Sequence, residues 1–321
     1  MALEQAQQLM DAAESAGHAT RPIQLFYALS QAGRAIAAVS TRLPSNTLIP
    51  DKGNPGSMIS FTVDWRLRGH GVTAPGTSVN RIGKVTVQAD WTGLLPGVAA
   101  ALGCACLAPE DKVKLRDLWP LIWETRFAGG SLTDLAEYPA LEIIDETGFP
   151  AGLSQTTEAN GLRRANGSAP TVLLNGFPQE TYKRCSSDYS SFLACLDHYP
   201  SLTGWLPATP PSSLWKPAPT NVLAVSWNHP DEAPQPGIRY RGWDLIAVPR
   251  VGAMKDALNP FIAWWAVLFA LSMMARYEPS NWAGMISIDS SSDANAIENL
   301  LDQALGALPH LILEAIDVSA S

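Results

Sequence analysis

A run with no charged side chain extends from Ala257 to Ala275 and ends on Arg276. Such a segment either crosses a bilayer or forms the centre of a protein interior, because no face of it prefers water. Asn259 followed by Pro260 reads as a helix N-cap with proline at the first helical position. A helix from Pro260 to Tyr277 would be about 27 Å long at ~1.5 Å per residue. That falls short of the roughly 30 Å of hydrocarbon in a bilayer. No basic flank fixes an orientation in a membrane. The segment is therefore read as a central buried helix, with no membrane partner expected. The rest of the chain must then cover it on every side.

The flanking sequence offers that cover at both ends. Leu3 to Ala16 carries an apolar stripe of Leu3, Ala6, Leu9, Met10 and Ala13, and Gly17 ends it. A second helix opens at Arg21-Pro22 and turns Ile23, Phe26, Tyr27, Leu29, Ser30, Gly33, Ile36 and Ala37 inward. Its small residues would let another helix approach closely. Further helices are expected at Leu94–Leu102, at Glu110–Phe127 with an interruption at Pro120, at Tyr189–Leu196, at Ala294–Leu305 and at Pro309–Ile316. Alternation or β-branched runs predict strands at Ile59–Leu67, Arg81–Ala89, Leu141–Ile144, Thr171–Leu174, Val222–Trp227 and Ile238–Val248. Leu43–Gly56 is turn-rich, and the prolines of Pro200–Thr220 suit a loop or edge. The pattern predicts an α+β fold in which N- and C-terminal helices pack as one helical core around a β-rich, proline-rich middle. The expected divisions are 1–130, helical with a small β element; 131–250, the β-rich insertion; and 251–321, helical and packed on the N-terminal helices.

Charge narrows the partners. The net charge is −8, and only 16% of residues are charged against 11 tryptophans. An acidic chain is not one that coats itself in nucleic acid, so extensive DNA binding is not expected. The charge is uneven. Arg21–Arg126 is net basic and Val251–Ser321 net acidic, so either the two ends attract each other or the first part holds a local anion site. The 4 cysteines are too few for a disulfide scaffold. Cys185, Cys195 and His198 form a Cys-x9-Cys-x2-His string, but a structural zinc needs a fourth ligand and none is evident. No metal or cofactor is expected, and a reduced, cytoplasmic protein is. The sequon Asn166-Gly167-Ser168 would go unused there. Tryptophans near Trp205, Trp215 and Trp243, if exposed, would suit a protein partner or a homo-oligomer.

Four segments carry a resemblance. They are Arg21-Pro22-Ile23-Gln24-Leu25-Phe26-Tyr27 with Arg34 beyond, Gly69-His70-Gly71-Val72, Lys114–Ile122, and Leu271-Ser272-Met273-Met274-Ala275-Arg276-Tyr277-Glu278 with Trp282. Their types and order are similar to the YaaC-like family of bacterial proteins, with its R-P-x-x-x-Y-Y helix, its H-G-L and its L-S-M-x-x-R-Y-E-x-x-W. The resemblance implies motifs and an order, and no particular chemistry. Arg21, Tyr27, Tyr277, Glu278 and Trp282 are taken from it as structural motif residues. The end of the last motif is also similar to HEPN-type ribonucleases, in which a helix-terminal arginine precedes a histidine by a few residues. Trp282 stands here where that histidine would be.

The candidate chemistry centres on His70. Its flanking glycines free the backbone, and an imidazole titrates near neutrality. Arg66 and Arg68 lie beside it in sequence, and Arg34 and Arg276 are expected to approach it in space. Guanidinium groups around an imidazole suit a phosphate, a nucleotide or an RNA backbone. The alternatives are bland: His70 in a turn bonded to a carbonyl, Arg276 clamped by Glu278 or by backbone, and Arg34 paired with a carboxylate of the acidic C-terminal helices. Two functions follow. One is a binding or assembly protein, an accessory of a stress or phage-defence system, with an anion-recognising pocket. The other is a metal-independent RNA- or nucleotide-directed hydrolase using His70. No Gly-x-Ser-x-Gly elbow, phosphate-binding loop or His-Glu-x-x-His is present to favour another chemistry.

Overall fold

The computed structural model describes residues 1–77, 79–127, 137–144, 157–158, 161–162, 170–208, 221–229, 233–242 and 244–321. The fold is α+β. Its first part holds α1 (Ala2–Ser15), α2 (Arg21–Val39), β1 (Asn46–Pro50), β2 (Met58–Thr62), β3 (Val72–Thr73), β4 (Thr86–Ala89), α3 (Leu94–Leu102), β5 (Val113–Lys114) and α4 (Leu115–Leu118). The middle holds β6 (Leu141–Ile144), β7 (Thr157–Glu158), β8 (Gly161–Leu162), β9 (Thr171–Asn175), α5 (Gln179–Cys185), α6 (Tyr189–Leu196), β10 (Leu206–Ala208), β11 (Val222–Ser226), β12 (Ile238–Tyr240) and β13 (Asp244–Ala247). The chain closes with α7 (Pro260–Tyr277), α8 (Pro279–Met285) and α9 (Ala294–Ala320).

The uncharged run is α7, and it is the axis of the helical core. Asn259 accepts a hydrogen bond from the Phe261 amide at 2.8 Å, and Pro260 takes the first helical position, where no amide donor is needed. The helix is apolar enough to cross a membrane by length and composition, yet 78% of it is buried inside the protein. α2 lies against it and also contacts α1, α3 and α9. Gly33 makes the closest approach: a Cβ placed there would sit 2.4 Å from Cη2 of Trp265 and 2.9 Å from Cγ2 of Val98. The two ends of the chain therefore meet. Arg21, only 9% exposed, fastens the junction. Its Nε donates to the carbonyls of Ala13 at 3.0 Å and Ala16 at 3.1 Å, at the end of α1, and its Nη1 pairs with Asp302 of α9.

The middle of the chain forms a six-stranded antiparallel sheet in the order β10-β11-β9-β6-β13-β12. Alternation sorts its side chains. Leu141, Ile143, Val172, Leu174, Leu223, Val225, Leu245 and Ala247 face a second core with Phe192, Leu196, Tyr199 and Trp205. Ile246 and Tyr240 belong instead to the first core, so the sheet's β12–β13 end is welded to the helices. A buried polar network marks this seam. Tyr240 donates to Glu124 Oε2 at 2.7 Å, Trp264 Nε1 donates to Tyr240 Oη at 3.1 Å, and Arg241 Nη1 lies 3.4 Å from Glu124 Oε1. Burial pushes the Glu124 carboxyl above its usual range, and the bonds from Tyr240 and Arg241 only partly offset it.

Several expectations are corrected. Leu43–Gly56 is not merely turns: β1 lies there and pairs antiparallel with β2, so the strand expected over Ile59–Leu67 stops at Thr62. The helix expected over Glu110–Phe127 is β5, the short α4 and two 3-10 turns, because Pro120 offers no amide and crowds the preceding turn. Arg81–Ala89 begins with a 3-10 turn at Ile82–Lys84. Ile238–Val248 is a hairpin whose turn places Arg241 and Gly242 at positive φ. Conversely, α9 runs straight through Pro309. Its buried stripe of Ile297, Leu300, Leu301, Ala304, Leu308, Leu311 and Ile312 outweighs the roughly 3 kcal/mol that an internal proline costs.

The cysteine expectation is also corrected. Cys185 and Cys195 form a disulfide joining α5 to α6, so they are neither reduced thiols nor members of a zinc string. His198 instead stacks on Tyr138 with ring centroids 3.6 Å apart. Trp205 is 1% exposed and is a core residue, not a partner-facing one. Trp215, Trp243 and the Asn166 sequon lie outside the described residues.

Candidate functional site

The loop carrying His70 is shaped by close backbone packing. Gly69 and Gly71 have φ of 78° and 69°, and opposite them Gly93 has φ of 113°. A Cβ on Gly71 would lie 2.9 Å from the Gly93 carbonyl carbon and 2.5 Å from Cδ of Pro96. The loop thereby caps α3: the Gly69 and His70 carbonyls accept from the amides of Leu94 at 3.1 Å and Leu95 at 3.0 Å. The glycines serve this contact. They do not open space around the imidazole, which packs instead against Phe26 of α2 and Phe269 of α7, with centroids at 5.1 Å and 5.8 Å.

The structure brings Arg34 and Arg276 to this imidazole. Burial lowers the His70 pKa, and the positive charges of Arg276 and then Arg34 lower it further. The ring is therefore neutral at neutral pH. Its Nδ1 is buried and has no hydrogen-bond partner among the described residues. Arg34, half-buried, uses its guanidinium on backbone carbonyls, those of Arg66 and Ser30, each at 3.2 Å. The carboxylate expected for it from the C-terminal helices is not there; His18 and Arg21 hold Glu298 and Asp302. Arg276 is exposed, donates to Tyr27 Oη at 2.7 Å and lies over the Tyr277 ring at 4.9 Å. Among the described residues no ion pair involves Arg34 or Arg276; the arginines that do pair are Arg21, Arg66, Arg116, Arg126, Arg184 and Arg241.

The other candidates stand elsewhere. Arg66 turns out to solvent and pairs with Asp64 at 3.3 Å, so it contributes only its carbonyl. Arg68 is exposed and lines a separate cavity of about 290 Å³. Trp282, 3% exposed, donates to the Ala19 carbonyl at 2.8 Å and fastens α8 beneath the start of α2. It fills the place a HEPN-type histidine would take, and fills it structurally. Glu278 caps the next turn, its carbonyl accepting from the Trp282 amide at 2.8 Å. Tyr277 is 63% exposed. Tyr27 is the site residue with a stronger role than expected: seven residues before Arg34, it shares that helix face and orients Arg276. Among the described residues no cluster of His, Cys, Asp and Glu could hold a metal ion.

The architecture is thus an α+β protein with a buried central helix and a cationic cluster on its surface, supplied by both chain ends. The chain matches the YaaC-like protein family over residues 1–316 and belongs to it. Neither the curated proteins nor the solved structures contain a match.

Proposed function

We propose that this protein is a binding protein whose surface cluster of Tyr27, Arg34, His70 and Arg276 takes the phosphate group of an anionic ligand. The observation that carries this reading is the pair of arginines left without a carboxylate beside a neutral imidazole. Both guanidinium charges act on the His70 ring and disfavour its protonation, and an anion bound beside them would relieve that repulsion. The ring accepts from a protonated ligand oxygen when neutral and donates to an anion once protonated.

The test is calorimetric titration with inorganic phosphate and with sulfate. Each of Arg34→Ala and Arg276→Ala is expected to weaken binding about 10–100-fold, the worth of one charge-assisted hydrogen bond. Arg276 is exposed and bonded to a hydroxyl, so the melting temperature of Arg276→Ala should stay within about 2 °C of the parent. No binding by the parent protein ends the proposal. Sulfate keeps its charge across the range where imidazole titrates. Its affinity should rise as pH falls below the ordinary imidazole value of 6.5, as His70 protonates between Arg34, Arg276 and the Tyr27 hydroxyl. His70→Gln should flatten that rise.

The second reading, hydrolysis, is favoured by one observation, the unpartnered Nδ1 of a neutral ring, which suits a proton acceptor. Incubating the protein with RNA or nucleotides tests it: turnover present in the parent and absent in His70→Ala supports an enzyme. Absence of turnover in a folded parent leaves the binder.

A further inference from the structure

The cavity beside Arg68 carries its own argument. It lies between the β1–β2 hairpin and the first turns of α3 and measures about 290 Å³. Leu43, Pro44, Val63, Leu67, Pro96 and Ala100 make most of its wall apolar. Two aromatic residues line it while still open to solvent: Phe61 is 42% exposed and Trp91 is 40% exposed. Among the described residues neither ring stacks on another, so two π-faces are left without partners at one cavity. Thr47, Thr62 and Thr92, whose side chains can donate and accept, line it as well, with Asp64 and Arg68. An apolar slot with free aromatic faces, a few hydroxyls, the cation of Arg68 and the Asp64 carboxylate, which Arg66 holds at 3.3 Å, fits a flat heterocycle whose polar edge can both donate and accept and which is attached to an anion.

The cavity and the cationic cluster share one loop. Leu67 and Arg68 wall the cavity; His70, two residues on, belongs to the cluster; and the Arg66 carbonyl holds Arg34 at 3.2 Å. We infer that the cavity is a nucleobase site, and that the ligand of this protein is a nucleoside phosphate, free or as a unit of a single RNA strand. The base lies against Phe61 and Trp91, Arg68 meets the ligand at the rim, and a phosphate reaches Arg34 and Arg276. This rests on the phosphate reading for the ligand's charged half, while the base half stands on the cavity alone. The net acidic chain is no obstacle, because this face lies in its basic N-terminal part.

The experiment titrates the full chain with inorganic phosphate, adenosine, AMP and a single-stranded RNA decamer, following tryptophan fluorescence and heat. AMP should bind at least about tenfold tighter than phosphate, since base–aromatic stacking is worth ~1–3 kcal/mol. Phe61→Leu with Trp91→Leu should bring AMP down to the phosphate level and leave phosphate binding unchanged, which also shows the variant to be folded. Equal affinity of AMP and phosphate in the parent overturns the nucleobase site and leaves the phosphate site standing. Adenosine binding without phosphate binding does the reverse. The RNA arm assigns the source: a decamer tighter than AMP marks a strand, and equal affinities mark the free nucleotide. If no nucleoside ligand binds and the double variant turns a dimer into a monomer by light scattering, the aromatic face is a self-association surface and the inference fails.

Discussion

Trp265→Ala is expected to cost about 3–5 kcal/mol of stability, the range for emptying a large aromatic site in a core that cannot collapse to fill it. Trp265 is fully buried, in the middle of α7, and meets Phe261 edge-on at 6.0 Å. Its far ring atoms rest where Gly33 has no side chain. Both walls are helices locked by other contacts, so relaxation is limited. The measurement is the denaturant midpoint at constant m. A cost below about 1 kcal/mol would sink the packing described for α2 and α7. Gly33→Ala should cost about 1–3 kcal/mol from the opposite cause, overpacking. Because one methyl group and one indole compete for the same space, Gly33→Ala should be milder when Trp265 is already Phe, and the double-mutant cycle should show it.

Removing the Glu124 side chain should be comparably damaging, about 3–5 kcal/mol for Glu124→Ala, because Arg241 would keep its charge and lose its counter-ion in a half-buried seam. Tyr240 and Trp264 would lose the acceptor at the end of their relay. Glu124→Gln keeps an oxygen for Tyr240 and should cost clearly less. The pH dependence separates them. Glu124 has a folded pKa above its unfolded value near 4.5. Its contribution is therefore fully present below about 4.5 and is lost as pH rises through the folded pKa. The stability of Glu124→Gln relative to the parent should accordingly improve from acid toward neutral pH. A difference that stays flat with pH would show that the carboxyl is not perturbed by burial.

The helical core was legible because its signals are local. An uncharged run, an Asn-Pro start and a proline after Arg21 identify α7 and α2 wherever the rest of the chain goes. The meeting of Arg34, His70 and Arg276 was also foreseeable, since packing the end helices together carries all three along. What the residues did not disclose depends on distant pairings. Leu43–Gly56 reads as turns until β2 pairs with Asn46–Pro50. Pro309 reads as a break until the burial along α9 is known. The glycines around His70 read as freedom for a catalytic ring, whereas their backbone packs on Gly93, a residue far along the chain. Glu124, Tyr240 and Arg241 carry no motif at all. Phe61 and Trp91 belong to no motif, and only their exposure in the fold sets them apart.

The placement of α2 between elements from both ends of the chain has a consequence for how the protein is made. Its first two helices leave the ribosome on the order of 200 residues before α7 and α9 exist, an interval of about 10–40 s at ~5–20 residues per second. Throughout that wait α2 has only α1, and then α3, to pack against, and the face that meets α7 and α9 stays uncovered. Nascent chains of this protein should therefore be clients for a chaperone that grips α2, and release should come only once α7 and α9 have emerged.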